Sequence, residues 1–104
     1  MFTESRESRS LPPPGMRVRV PEHVLMRGLG DEMVMLNLDA ESYYGLNEVG
    51  ARLMQLAEAG ATLEQIAEQL FGEFEVGREQ LEHDVRTVAA ELIAAGLLVE
   101  AVAA

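Results

Sequence analysis

A chain of 104 residues has room for one domain and one core, not for a deep substrate cavity beside a second domain. Having neither cysteine nor lysine, it excludes disulfides, thiolate metal sites, cysteine nucleophiles, Schiff bases and Walker-type phosphate cradles. A formal net charge of −10 has the wrong sign for gripping a phosphate backbone or an anionic membrane surface, and leaves a neutral or basic peptide as an acceptable partner.

Residues 1 to about 15 read as a tail. They are polar, close to charge-neutral, and end in Pro12-Pro13-Pro14-Gly15, a run that favours extended polyproline backbone. A disordered arm is the expectation there, ahead of a domain over residues 16–104. Glu4, Arg6, Glu7 and Arg9 leave no apolar core for a signal peptide. No stretch approaches the ~18 apolar residues of a membrane span. A cytoplasmic location and no membrane partner are therefore expected.

From Met16 the texture changes. Val18, Val20, Val24 and Met26 form a β-favouring stretch broken by Pro21, and Gly28-Leu29-Gly30 reads as a hairpin loop. Met33 to Leu38 is apolar on both faces, as in a strand covered on both sides or paired inside a small sheet. Asp39-Ala40-Glu41-Ser42 is a turn signal. Tyr43-Tyr44-Gly45-Leu46 makes a third strand, whose alternation puts Tyr44 and Leu46 on one face and Tyr43 on the other. Residues 16–46 are thus predicted as a small three-stranded antiparallel sheet.

From Asn47 the period becomes helical. Asn47 caps a first helix that buries Val49, Leu53, Leu56 and Ala57 and ends at Gly60. Thr62 opens a second, with Gln65 completing a capping box, a buried stripe of Leu63, Ile66, Ala67 and Leu70, and a stop at Gly72. Leu81, Val85, Val88 and Leu92 mark one face of a third helix over Arg78–Ala95, ended by Gly96. Leu97, Leu98 and Val99 then pack back as a short extended piece. Fold class is α+β, in the outline of a winged helix-turn-helix domain.

That outline also suits a DNA-binding regulator, the alternative reading. Charge opposes it. Between Ala61 and Ala95 eight acidic residues outnumber two arginines, a local balance of −6. A recognition helix carrying Glu79, Glu82, Asp84 and Glu91 repels phosphate.

Catalytic and metal chemistry find little to work with. His23 and His83 are the only histidines, sixty residues apart. His83-Asp84 are neighbours on a helix and point about 100° apart, so they do not readily share one metal. Three of the four serines lie in the tail, and none sits in a strand-to-helix elbow. Glu64, Glu68, Glu73, Glu75, Glu79, Glu82, Asp84 and Glu91 read as a solvated face. Gly28-Leu29-Gly30 lacks the third glycine of a dinucleotide fingerprint. No enzyme activity, cofactor or metal is expected.

Binding is what remains. Met26, Met33 and Met35 cluster in the sheet, where they fill core or adapt to an apolar ligand. If the third strand is an edge, its backbone is free to pair with an added strand. Strand addition suits an extended peptide, held by main-chain bonds and selected by side-chain pockets.

An ordered set of short segments carries a family likeness. Met35-Leu36-Asn37-Leu38-Asp39, Tyr43-Tyr44-Gly45-Leu46-Asn47-Glu48-Val49-Gly50, the helix start Thr62-Leu63-Glu64-Gln65-Ile66, Asp84-Val85 and the ending Ala95-Gly96-Leu97-Leu98 resemble PqqD-like proteins. The likeness covers about residues 16–99. It implies a winged-helix recognition element that takes the leader of a ribosomally made precursor peptide as a fourth strand, between the third strand and the third helix. Carried over, Ser42, Tyr43, Tyr44 and Gly45 supply the strand edge, and Leu81, Asp84, Val85 and Val88 line the helix side. The Tyr-Tyr-Gly-Leu-Asn wording is most similar to the stand-alone B1 proteins of lasso peptide pathways. Those work beside a separate leader peptidase, while a PQQ or radical-SAM pathway would supply a different modifying enzyme.

Overall fold

The computed structural model describes residues 11–101. Along the chain run β1 (Val18–Arg19), β2 (Val24–Leu29), β3 (Glu32–Asn37), β4 (Ser42–Leu46), α1 (Glu48–Glu58), α2 (Leu63–Glu73), α3 (Arg78–Ala94) and β5 (Val99–Glu100). The predicted order, a three-stranded antiparallel sheet followed by three helices, is the order observed.

The expected first strand is in fact two. Pro21 has no N–H to give a ladder, and the chain breaks there. Val18–Arg19 leave the sheet to pair antiparallel with Val99–Glu100, joining the beginning of the domain to its end. Val24–Leu29 stay with β3, in the order β2-β3-β4. The hairpin loop also differs from expectation. Gly28 and Leu29 are within β2, and the reversal is made by Gly30-Asp31 alone, between the pair Leu29 and Glu32. Gly30 has φ +64, the glycine-first pattern of a II′ turn, whose twist matches that of the flanking strands.

The β3–β4 connection is organised by Asn37. Its Oδ1 accepts the N–H groups of Asp39 and Ala40, both at 3.1 Å, and its Nδ2 donates to Ala95 O at 3.4 Å. Gly96 follows with φ +77, and a Cβ added there would stand 3.2 Å from the same Nδ2. The hairpin and the end of α3 therefore meet at one buried amide.

The helices start where local chemistry says. Asn47 caps α1 through Gly50 N–H, and the Thr62–Gln65 capping box opens α2. Gly60, with φ +97, lies just past α1. Gly72 does not stop α2, which continues to Glu73 and ends at Phe74. Helix α3 runs to Ala94, with Ala95 as its cap.

The core is one cluster. Met33, Met35 and Leu46 from the sheet meet Leu53 and Met54 of α1, Ile66 and Leu70 of α2, and Leu81, Val85, Ala89 and Leu92 of α3. Leu97 and Leu98, just ahead of β5 in the chain, complete it. Helices α1 and α2 are also tied at the surface. Arg52 donates to both carboxylate oxygens of Glu73, at 2.9 and 2.8 Å, and Gln69 Nε2 donates to Glu73 at 2.8 Å. These donors, Arg52 first, hold the Glu73 carboxyl down at about 2.

The tail predicted over residues 1–15 lies outside the described residues up to residue 10. Residues 11–15 are in contact with the domain. Arg86 Nε donates to Pro12 O at 2.8 Å. Pro14 O and Met16 O accept the N–H groups of Glu64 and Leu63, at 2.8 and 2.9 Å, and so satisfy orphan donors of the first turn of α2.

Candidate functional site

Among the described residues strand β4 is an edge: it pairs with β3 on one side and with no strand on the other. Which of its backbone groups are free follows from alternation. Leu38 N–H donates to His23 O at 2.9 Å, so even-numbered residues of β3 turn their polar groups to β2 and odd-numbered ones to β4. By register, Ser42, Tyr44 and Leu46 bond to β3, and Tyr43 and Gly45 turn N–H and C=O outward. The open edge thus presents two donor–acceptor sets, at Tyr43 and Gly45.

Beside this edge lies a groove of about 380 Å³. Its rim on one side is Tyr44, Gly45 and Leu46, and on the other Leu81, Asp84, Val85, Thr87 and Val88 of α3. The first turns of α1 give the floor through Val49, Gly50 and Leu53, with Val76 closing the end before α3. Gly50 brings floor and strand together, since a Cβ there would stand 3.2 Å from the Leu46 side chain. The lining is chiefly apolar, with Asp84 as its one carboxylate. Gln80 Nε2 donates to Asp84 Oδ1 at 2.9 Å and holds that carboxylate in place.

Tyr44 links the two walls. Its hydroxyl donates to Glu91 Oε1 at 3.0 Å, joining β4 to α3. Burial raises the phenol above its ordinary value, and the accepting Glu91 carboxylate raises it further.

Of the eight residues singled out in the sequence, six line this groove: Tyr44, Gly45, Leu81, Asp84, Val85 and Val88. Ser42 and Tyr43 do not. Ser42 is exposed at the start of β4, and Tyr43 points its ring to the opposite face of the sheet, contributing backbone alone to the edge. Leu81 and Val85 are also core residues, while Asp84 and Val88 are half-buried and face the groove more freely. The α1 floor was missed by sequence reasoning. Its one signal was Val49 and Leu53, four apart on the helix face predicted to be buried.

The remaining chemistry-bearing residues are dispersed. His23 Nε2 lies 3.2 Å from Gly96 O, and His83 is exposed on α3. Among the described residues no group of three or more potential ligands could hold a metal ion, and no helix is long and apolar enough to cross a membrane. The DNA-binding alternative gains no support: α3 turns Glu79, Glu82 and Glu91 to solvent.

Comparison with known proteins bears on this groove. Residues 32–98 match the family model described as coenzyme PQQ synthesis protein D (PqqD), a span that includes β3, β4 and all three helices. No curated protein sequence matches the chain. Among solved structures, TbiB1 in complex with the TbiA(beta) leader peptide is similar at a TM-score of 0.75 and 30% identity, over 82% of this chain and 99% of that one. A lasso peptide synthetase B1 complexed with its leader peptide is similar in fold at a TM-score of 0.74 and 24% identity, over 80% of this chain and 98% of the other.

Proposed function

Because the chain belongs to the PqqD family, we propose that it captures the leader segment of a ribosomally made precursor peptide as an added strand on β4. One observation carries this reading. The free N–H and C=O groups of Tyr43 and Gly45 lie along an apolar groove walled by α3. An extended peptide there gains main-chain hydrogen bonds from the strand, and alternate side chains reach the groove. TbiB1, a relative with 30% identity, is itself seen with a leader peptide.

The peptide-binding residues are Ser42, Tyr43, Tyr44 and Gly45 of the strand edge, with the free backbone groups coming from Tyr43 and Gly45, and the side chains of Leu81, Asp84, Val85 and Val88. The role is carriage without catalysis, in the cytoplasm. The bound leader is delivered to a separate modifying enzyme or leader peptidase, of the lasso peptide type. The test is titration of a fluorescent synthetic leader, from the precursor peptide of the same pathway, into the purified protein, followed by anisotropy. Saturable binding that a scrambled leader does not reproduce is the expected result. Equal binding of both peptides, or of neither, overturns the proposal.

A further inference from the structure

The sheet has a second face, and its composition is unusual for one turned to water. Alternation places Leu25, Arg27 and Leu29 of β2, Val34 and Leu36 of β3, and Tyr43 of β4 on the side away from the helices. Leu25, Leu36 and Tyr43 are register partners and form an unbroken apolar row across all three strands. Leu25, Leu29 and Tyr43 are 48%, 57% and 76% exposed. An antiparallel sheet with one solvated face normally alternates apolar and polar, and here the outer set is apolar apart from Arg27 and, at the hairpin end, Glu32.

Gly45 adds a shape to this chemistry. It sits opposite Val34 in the middle of a strand, and a Cβ there would meet no atom of the described residues within 4 Å. No crowding within the domain demands glycine, and a strand interior disfavours it. Its effect is a hollow over Val34 beside the Tyr43 ring. A contiguous exposed apolar surface of this kind marks an interaction site.

Charge selects the occupant. The two ends of the sheet carry exposed acids, Asp31 and Glu32 at the β2–β3 turn, and Glu22, Asp39 and Glu41 at the other end. A second copy of this chain, also at −10, would set acid against acid around the apolar row. A surface with an apolar centre ringed by Arg and Lys complements it. Continuity narrows the choice further: Tyr43 offers its backbone to the β4 edge and its ring to this face. A protein seated on the outer face therefore lies against the same strand as the peptide.

The geometry points to the outer face of the β2-β3-β4 sheet as the docking surface for the separate enzyme that acts on the captured peptide, met through an apolar patch with a basic rim. This rests on the leader-capture reading above. The test uses the full chain, the labelled leader and the purified leader-processing enzyme of the same pathway. Leu25→Glu with Leu29→Glu, and separately the milder Leu29→Ser, leave the groove untouched. Leader affinity is expected to stay within about twofold, while enzyme affinity of the double variant falls at least about tenfold, with a smaller loss for Leu29→Ser. Enzyme binding by the parent is expected to weaken as salt rises from 50 to 500 mM, roughly in proportion to the screened rim. Undiminished enzyme binding by the variants, salt-independent binding, or a parent dimer in sedimentation that the double variant dissolves, each overturns the assignment. A parent that binds no leader defeats the capture reading instead, and is told apart by that measurement alone.

Discussion

Asn37 and Gly96 show how much of this fold rests on single residues. Asn37 is buried, and its amide serves two loop N–H groups and the carbonyl that ends α3. Asn37→Ala strips all three at once and should cost about 1–3 kcal/mol in chemical denaturation. Gly96→Ala forces a side chain into left-handed backbone against the same amide, at about 1–2 kcal/mol. Because the two sites touch, their double variant should lose measurably less or more than the two single losses combined.

At the scale of elements, α3 faces two ways along one side. Val85 is sealed in the core and also lines the groove, so Val85→Ala should lower stability by about 1–2 kcal/mol and leader affinity together. Val88 and Asp84 are half-buried. Asp84→Ala should weaken leader binding about tenfold with the melting temperature nearly unchanged, which separates binding from folding, whereas Val88→Asp should weaken it as much and also lose stability, because Val88 packs against the core. Unchanged affinity in both would remove α3 from the binding wall.

The α1–α2 tie makes a different prediction. Glu73 has its folded value held at about 2, below its ordinary 4.5, by Arg52 and then Gln69. As pH falls, the unfolded chain takes up this proton first. The contribution of Glu73 to stability is therefore complete above about pH 4.5 and drains away toward pH 2. Glu73→Gln should flatten the acid limb of denaturation midpoints in that window, sitting a little below the parent at neutral pH and converging on it toward pH 2.

For the whole molecule, charge and topology act together. The net −10 is spread over a domain whose first and last described strands are paired. A winged-helix outline with that charge should not retard duplex DNA in a gel, even at low salt, where electrostatic attraction is strongest. A shift there would reinstate the regulator reading.

The local code was legible in the residues themselves. The Asn47 cap, the Thr62–Gln65 capping box, the stripe of α2, that of α3 apart from Val88, whose place in the core Ala89 takes, and the inward Tyr44 and Leu46 all depend on neighbours within a few positions, where spacing and hydrogen-bond chemistry suffice. Gly72 misled because a glycine inside a helix costs only about 1 kcal/mol, which packing of Leu70 and its neighbours overrides. Long-range choices were not legible. That Val18 would leave the sheet for Glu100, that Pro14 and Met16 would cap α2, and that Val49 and Leu53 would floor the groove depend on which surfaces meet once the core closes. A period announces that a side chain will be covered, and only tertiary packing determines what covers it.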